Sequence, residues 1–323
     1  MTDLYVTIRP LLELHGLASR TKEDRIHLTA KMSGIEKDAA NDWLHVALNE
    51  LRRFKQRNGD HIGRAAFIGS ANGVDAIAAL RLFQIESMVI TDILPDILAP
   101  IEQNIRHNTT AQEMPEAIDF VAGRDCEPVP DGCDLIYANL PLIMTSPDDL
   151  GTDLATTTLT DASAYERLAE GEDDPLVKWS LLSQLGFLFS AKRKLKPTGS
   201  VITLIGGRIP DDAIAACFRR AGMTFERGTV AMMRQSDEEY VEHYARYEAT
   251  FTHDAFLFYD EAKAARILQD HSYAYPAIVD MSAEWVRDTL APAALTAAEA
   301  WDHVRAGKHV AHLSYGFRAT PGT

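Results

Sequence analysis

From residue 64 onward, short apolar runs alternate with amphipathic stretches of helical period, and this alternation leaves few architectures open. Strands are expected at 64–68, 88–92, 118–121, 134–138 and 200–205. Helices fall between them at 74–84, 95–107, 176–194 and 211–221, with Pro95 at a helix start and Gly222 at a helix stop. A chain that repeats strand and helix in this way builds a mainly parallel sheet covered on both faces, because each parallel crossover needs a helix. A further strand at 229–233, a helix at 237–249 and a strand at 251–259 extend the pattern.

The ends read differently. Residues 1–58 read as helical, and 41–57 place Leu44, Ala47, Leu48, Leu51 and Phe54 on one face at helical spacing. After residue 260, helices are expected at 261–270, 282–290 and 296–306, followed by a strand at 309–317. The two ends are candidates for a lid over one edge of the sheet.

At 323 residues the chain can bury a substantial core, and 46% apolar and 24% charged residues are globular values. A formal charge of −15 without a basic stripe disfavours nucleic acid as a partner. Acids concentrate at 146–175, where Asp148, Asp149, Asp153, Asp161, Glu166, Glu170, Glu172, Asp173 and Asp174 surround one base, Arg167. That segment reads as a solvated loop or as an attractor of a cationic substrate. Cys126, Cys133 and Cys217 form neither a disulfide framework nor a zinc knuckle, and a reducing compartment fits them. With no signal-like start and no run near the ~18 apolar residues of a membrane span, a cytoplasmic location is expected. His303, His309 and His312 lack an acid or cysteine at matching spacing, so no metal site is expected.

The strand at 64–68 runs into Gly69, Ser70, Ala71, Asn72 and Gly73 and then into an apolar helix. Glycines at both ends permit a tight turn and a close ligand, and the helix start offers free N–H groups. Asp92 ends the next strand 19 residues after the loop, where an acid can accept from both hydroxyls of a ribose. A ligand containing a nucleoside is the joint expectation. Alone, the glycines read as turn residues and Asp92 as a cap before Pro95.

With those residues in place the chain resembles the class I S-adenosylmethionine-dependent methyltransferases. The resemblance covers about residues 60–260 and includes the turn from Leu195 to Ser200. It departs from the family's G-x-G-x-G at Ala71, and Phe67 stands where the family carries an acid. It implies a Rossmann-like fold with a mainly parallel seven-stranded sheet. The cofactor would be S-adenosylmethionine, bound by Gly69, Ser70, Ala71, Gly73, Asp92, Asn139 and Pro141, with Asp125 on the adenine amine; Asp125 reads equally as a loop acid. The run Asn139-Leu140-Pro141-Leu142 is similar to the N-P-P-Y signature of amino-methylating branches. There the Asn oxygen and the next carbonyl receive hydrogen bonds from a nitrogen nucleophile and turn its lone pair toward the electrophile. Leu142 offers no stacking platform, which disfavours a flat nucleobase as acceptor. Tyr137, Tyr165 and Trp179 read either as faces for a sulfonium cation or as packing.

The domains implied are a helical cap at 1–58, an S-adenosylmethionine-binding domain at 59–260 with an insertion at 143–178, and a C-terminal cap or extension at 261–323. The leading reading is transfer of a methyl group to an amine or oxygen of a small metabolite, with Asn139 and Tyr137 as the catalytic pair. A second reading needs no acceptor: the cofactor's own amine closes a four-membered ring and releases methylthioadenosine, as in the azetidine-2-carboxylate synthases, which the chain also resembles. A nicotinamide-dependent oxidoreductase would use the loop and Asp92, but its fingerprint is G-x-G-x-x-G and it leaves Asn139 without a role. A fold that only binds its ligand is the non-enzymatic reading.

Overall fold

A computed structural model describes residues 4–150, 158–171, 173–235, 237–250 and 254–322. The chain opens with β1 (Leu4–Thr7), α1 (Arg9–Leu14), β2 (Arg25–Leu28) and α2 (Trp43–Asn58). Next come β3 (His61–Ile68), α3 (Val74–Leu82), β4 (Gln84–Asp92), α4 (Leu98–Asn108), β5 (Ala117–Ala122) and β6 (Cys133–Ala138). The insertion contributes β7 (Ile143–Thr145), α5 (Pro147–Leu150), β8 (Leu159–Asp161) and α6 (Pro175–Lys178). Then follow α7 (Leu182–Lys194), β9 (Leu195–Gly206), α8 (Asp211–Arg220), β10 (Met223–Gln235) and α9 (Glu238–Glu248). The chain ends with β11 (Phe258–Asp260), α10 (Glu261–Asp270), β12 (Ala277–Ile278), α11 (Ala283–Leu290), β13 (Ala294–Leu295), α12 (Ala297–Arg305) and β14 (Val310–Pro321).

The main sheet runs β12-β10-β14-β9-β6-β3-β4-β5. Strands β9, β6, β3, β4 and β5 are mutually parallel, whereas β14 is antiparallel to both of its neighbours, β9 and β10. This is the expected Rossmann-like α/β architecture, but the sheet has ten strands among the described residues rather than the seven expected, because the short strands β12, β11 and β13 join it. The chain winds outward from β3 through β4 to β5, then returns to β6 on the other side of β3. The order therefore reverses between β3 and β6, and the crevice beyond their carboxyl ends is where open α/β sheets bind ligands. Strand β6 shows how the core divides: Leu135 and Tyr137 pack with Leu44, Val46, Ile77 and Ile101, while Ile136 and Ala138 face Leu185, Leu188 and Ile214. Both faces are apolar, as a covered parallel sheet requires.

Three expectations are corrected. Residues 1–58 are not all helical, because β1 and β2 pair antiparallel from Leu4↔Leu28 to Thr7↔Arg25. In β2 the alternation of exposed Arg25, buried Ile26, half-buried His27 and buried Leu28 is the period of a strand. The helix expected over 176–194 breaks at Ser180, whose φ of 56° ends α6 before α7 begins. In the cap or extension expected at 261–323, β14 is an interior strand of the sheet and longer than the 309–317 expected. Part of the strand expected at 251–259 falls outside the described residues, and only Phe258–Asp260 forms a strand within it. The two ends do meet, since the Trp43 ring stacks on His312 at 5.6 Å between centroids. No helix among the described residues is long and apolar enough to cross a membrane.

Candidate active site

The loop after β3 and the loop after β6 flank the switch point. Gly69, Ala71 and Gly73 all adopt left-handed backbone, at φ of 64°, 47° and 83°. Successive bends of this kind turn the chain sharply into α3, and Gly73 caps that helix with no side chain in the way. A Cβ on Gly69 would stand 3.1 Å from Leu140 Cδ2, so the glycine loop and the Asn139 loop are in contact. Asn72 is buried; its Oδ1 accepts from the Val74 N–H at 3.0 Å, and its Nδ2 donates to the Ser33 carbonyl at 3.1 Å.

Asp92 joins the second strand to this loop. Its carboxylate accepts from the N–H of Ala71 at 3.1 Å and from that of Leu94 at 3.0 Å. Burial raises its pKa, and hydrogen bonds from the Leu94, Ala71 and Ile93 backbone oppose the rise. The sequence spacing thus places the acid directly on the loop. Asp125, also in left-handed backbone, accepts from the Tyr165 hydroxyl at 3.0 Å. Burial pushes its carboxyl up to about 6, with the Tyr165 bond pulling the other way. Arg124 lies over the Tyr165 ring at 5.5 Å, so the insertion is tied to the 123–125 turn.

Asn139, Leu140, Pro141 and Leu142 are half-buried. The loop after them is pinned by Ser180, which donates to the Leu142 carbonyl at 2.8 Å and accepts from the Met144 N–H at 2.7 Å. Among the described residues no protein group hydrogen-bonds the Asn139 side chain. Tyr137 points elsewhere. It is 2% exposed, its ring lies 5.2 Å from that of Phe67, and its hydroxyl faces the carboxyl of Asp75 in the first turn of α3. Burial holds its phenol well above the ordinary value, and the neighbouring Asp75 adds to the rise. Trp179 packs edge-on against Phe256 at 5.3 Å.

Several residues that spacing did not single out complete the site. Burial lifts the Asp75 carboxyl to about 6, and the neighbouring Asp42 adds to the rise. Asp42 caps α2 through the Leu44 N–H at 2.8 Å and holds the Glu36 N–H at 3.0 Å. Asn41 exchanges two hydrogen bonds with Arg234 of β10, donating at 3.2 Å and accepting at 2.6 Å. Residues 33–42 therefore run from Asn72, beside β3, to β10, passing over the carboxyl edge of the sheet. Asp75 was discoverable as an acid in the first turn after a glycine loop. Asn41 and Asp42 gave no more signal than ordinary helix-start residues.

No family model matches this sequence, and no curated protein does. Among solved structures the chain is similar to a putative RNA methyltransferase from Pyrococcus horikoshii, at 10% identity over 91% of this chain and 94% of the other, with a TM-score of 0.44. It is similar to a putative sarcosine dimethylglycine methyltransferase from Galdieria sulphuraria, at 15% identity over 90% and 92% of the two chains, with a TM-score of 0.41. A ribosomal protein L11 methylase from Lactobacillus delbrueckii subsp. bulgaricus aligns at 16% identity over 57% of this chain and 72% of its own, with a TM-score of 0.37.

Proposed function

We propose that this chain is an S-adenosylmethionine-dependent transferase acting on a small molecule. The observation that carries the reading is the meeting of three elements at the switch point: Asp92 bonded to the glycine loop at Ala71, Leu140 packed on Gly69, and the unengaged amide of Asn139 beside them. Gly69, Ser70, Ala71 and Gly73 would line the amino-acid and ribose portion of the cofactor. Asp92 would accept from the ribose hydroxyls, and Asp125 from the adenine amine. When bound, the cofactor supplies a sulfonium-activated carbon electrophile. A cationic ligand suits a site that the carboxyls of Asp42, Asp75 and Asp92 flank.

Asn139 Oδ1 and the carbonyl of Leu140 would accept from the N–H groups of a nitrogen nucleophile and hold its lone pair free. Such positioning accelerates displacement without a strong base. Pro141 stiffens the loop that presents these acceptors. Tyr137 acts at one remove, by orienting the Asp75 carboxylate.

A second reading is supported by the segment over the sheet edge. Residues 33–42 cross the carboxyl edge of the sheet and Tyr165 holds Asp125, and cover of this kind suits ring closure by the cofactor's own amine to azetidine-2-carboxylate, which needs no separate acceptor. Incubation of the protein with S-adenosylmethionine alone, followed by mass spectrometry, separates the two. Methylthioadenosine with a four-membered-ring amino acid selects cyclisation; a bound but unconsumed cofactor selects methyl transfer to an added amine. Asp92→Ala is expected to weaken cofactor binding at least tenfold in calorimetry, and an unchanged affinity would remove Asp92 from the site.

A further inference from the structure

Two residues beyond the end of β9, Arg208 is 1% exposed, and it is among the largest fully buried side chains of the protein. Its guanidinium sits among three rings, 5.1 Å from Tyr240, 4.7 Å from Tyr244 and 5.2 Å from Phe258. Among the described residues its side chain makes one hydrogen bond, from Nη1 to the Tyr244 hydroxyl at 3.4 Å. Nε and Nη2 have no partner among the described residues. These two nitrogens form one edge of the planar fork, the edge that matches the two oxygens of a carboxylate.

The location ties this edge to the proposed active site. Strand β9 pairs with β6 through Ala138↔Thr203, so the chain leaves β9 on the same carboxyl edge of the sheet as Asn139. The guanidinium folds back over Gly206, where a Cβ would run into Nη1. Ser314, the register partner of Gly206 on β14, carries a second buried oxygen without a partner. The Leu257 N–H holds the Arg208 carbonyl at 2.8 Å and fixes the backbone that presents the side chain. Aromatic rings stabilise a buried cation but leave its N–H groups unsatisfied, and no acidic residue among the described ones pairs with Arg208.

We infer that Arg208 is a carboxylate-binding residue of the active site, gripping a carboxylate of the reacting ligand through Nε and Nη2 with the Ser314 hydroxyl beside it. This deepens the proposed function, since the carboxylate belongs either to the amino-acid arm of S-adenosylmethionine or to a separate amino-acid acceptor. Both sources present the same group to the same fork.

The test is calorimetry of wild type, Arg208→Met and Arg208→Lys with S-adenosylhomocysteine and with methylthioadenosine, which lacks the amino-acid arm. It is paired with thermal shifts in glycine and in acetate at saturating S-adenosylhomocysteine. If the cofactor supplies the carboxylate, Arg208→Met loses about 30-fold in affinity for S-adenosylhomocysteine and nothing for methylthioadenosine, and Arg208→Lys loses about tenfold. If an acceptor supplies it, both nucleosides bind all three proteins equally, while glycine or acetate stabilises wild type and not Arg208→Met. Equal behaviour of wild type and both variants in every arm overturns the inference. Should Arg208→Met fail to fold, Arg208→Lys, which keeps the charge but loses the fork, decides by the same readings. A wild type that binds neither nucleoside overturns the cofactor reading instead. In that case carboxylate stabilisation of wild type alone still supports Arg208, and its absence overturns Arg208 as well.

Discussion

Glu50 on α2 is 1% exposed and accepts from the Thr229 hydroxyl at 2.9 Å, and burial pushes its carboxyl up to about 7. Between its ordinary value of 4.5 and 7 the folded chain holds a proton that the unfolded chain releases, so this group's contribution to stability is largest at low pH and is lost as pH rises through about 7. Glu50→Gln is expected to stabilise the protein by up to about 3 kcal/mol at pH 8, with the gain vanishing near pH 4.5. Denaturant titrations at the two pH values check this; a gain independent of pH would show that Glu50 is not the titrating group. At this scale the positions of Asp92, the last residue of β4, and of Asn139, one residue past β6, were legible from the sequence, because chain direction puts strand ends at the carboxyl edge of the sheet. The burial of Tyr137 against Phe67 was not legible, because strand alternation does not say which covered face a side chain enters. Arg208 was invisible, since a sequence does not reveal the absence of a partner.

Among the elements, the segment at 33–42 depends on few contacts. Asn41 supplies two of its hydrogen bonds, both to Arg234, and Asn72 supplies another to the Ser33 carbonyl. Asn41→Ala is expected to cost about 2 kcal/mol locally by leaving the Arg234 backbone groups unpaired. Amide hydrogen exchange should then accelerate across 33–42 while β3 and β6 keep their protection. Uniform acceleration would mean that the segment is part of the global folding unit. Helix α2 was expected over 41–57 and runs over Trp43–Asn58, because its apolar stripe repeats for four turns. The strands β1 and β2 were missed because four residues are too few for alternation to stand out.

For the whole molecule, the decisive strand is the last. Strand β14 pairs over most of its length with β10 and along six positions with β9. A chain ending at residue 308 would expose the inner edges of both strands and is expected to lose cooperative folding, measured as loss of the thermal transition in circular dichroism. Survival of that transition would mean that the tail is a dispensable cap. The contact of Trp43 with His312 carries the coupling further, since α2 packs on the strand inserted between β9 and β10.

The sequence by itself determined the alternation of strand and helix, the turn at Gly69–Gly73, and the placement of Asp92 and Asn139 at strand ends. These follow from residue spacing, backbone sterics and chain direction, all local. Tertiary structure decided the insertion of β14 between β9 and β10, the passage of 33–42 over the site, the diversion of Tyr137 to Asp75, and the unpaired edge of Arg208. Each of these is a meeting of residues far apart in the chain. An apolar strand or a capping acid is equally compatible with many partners, and only the packed fold selects among them.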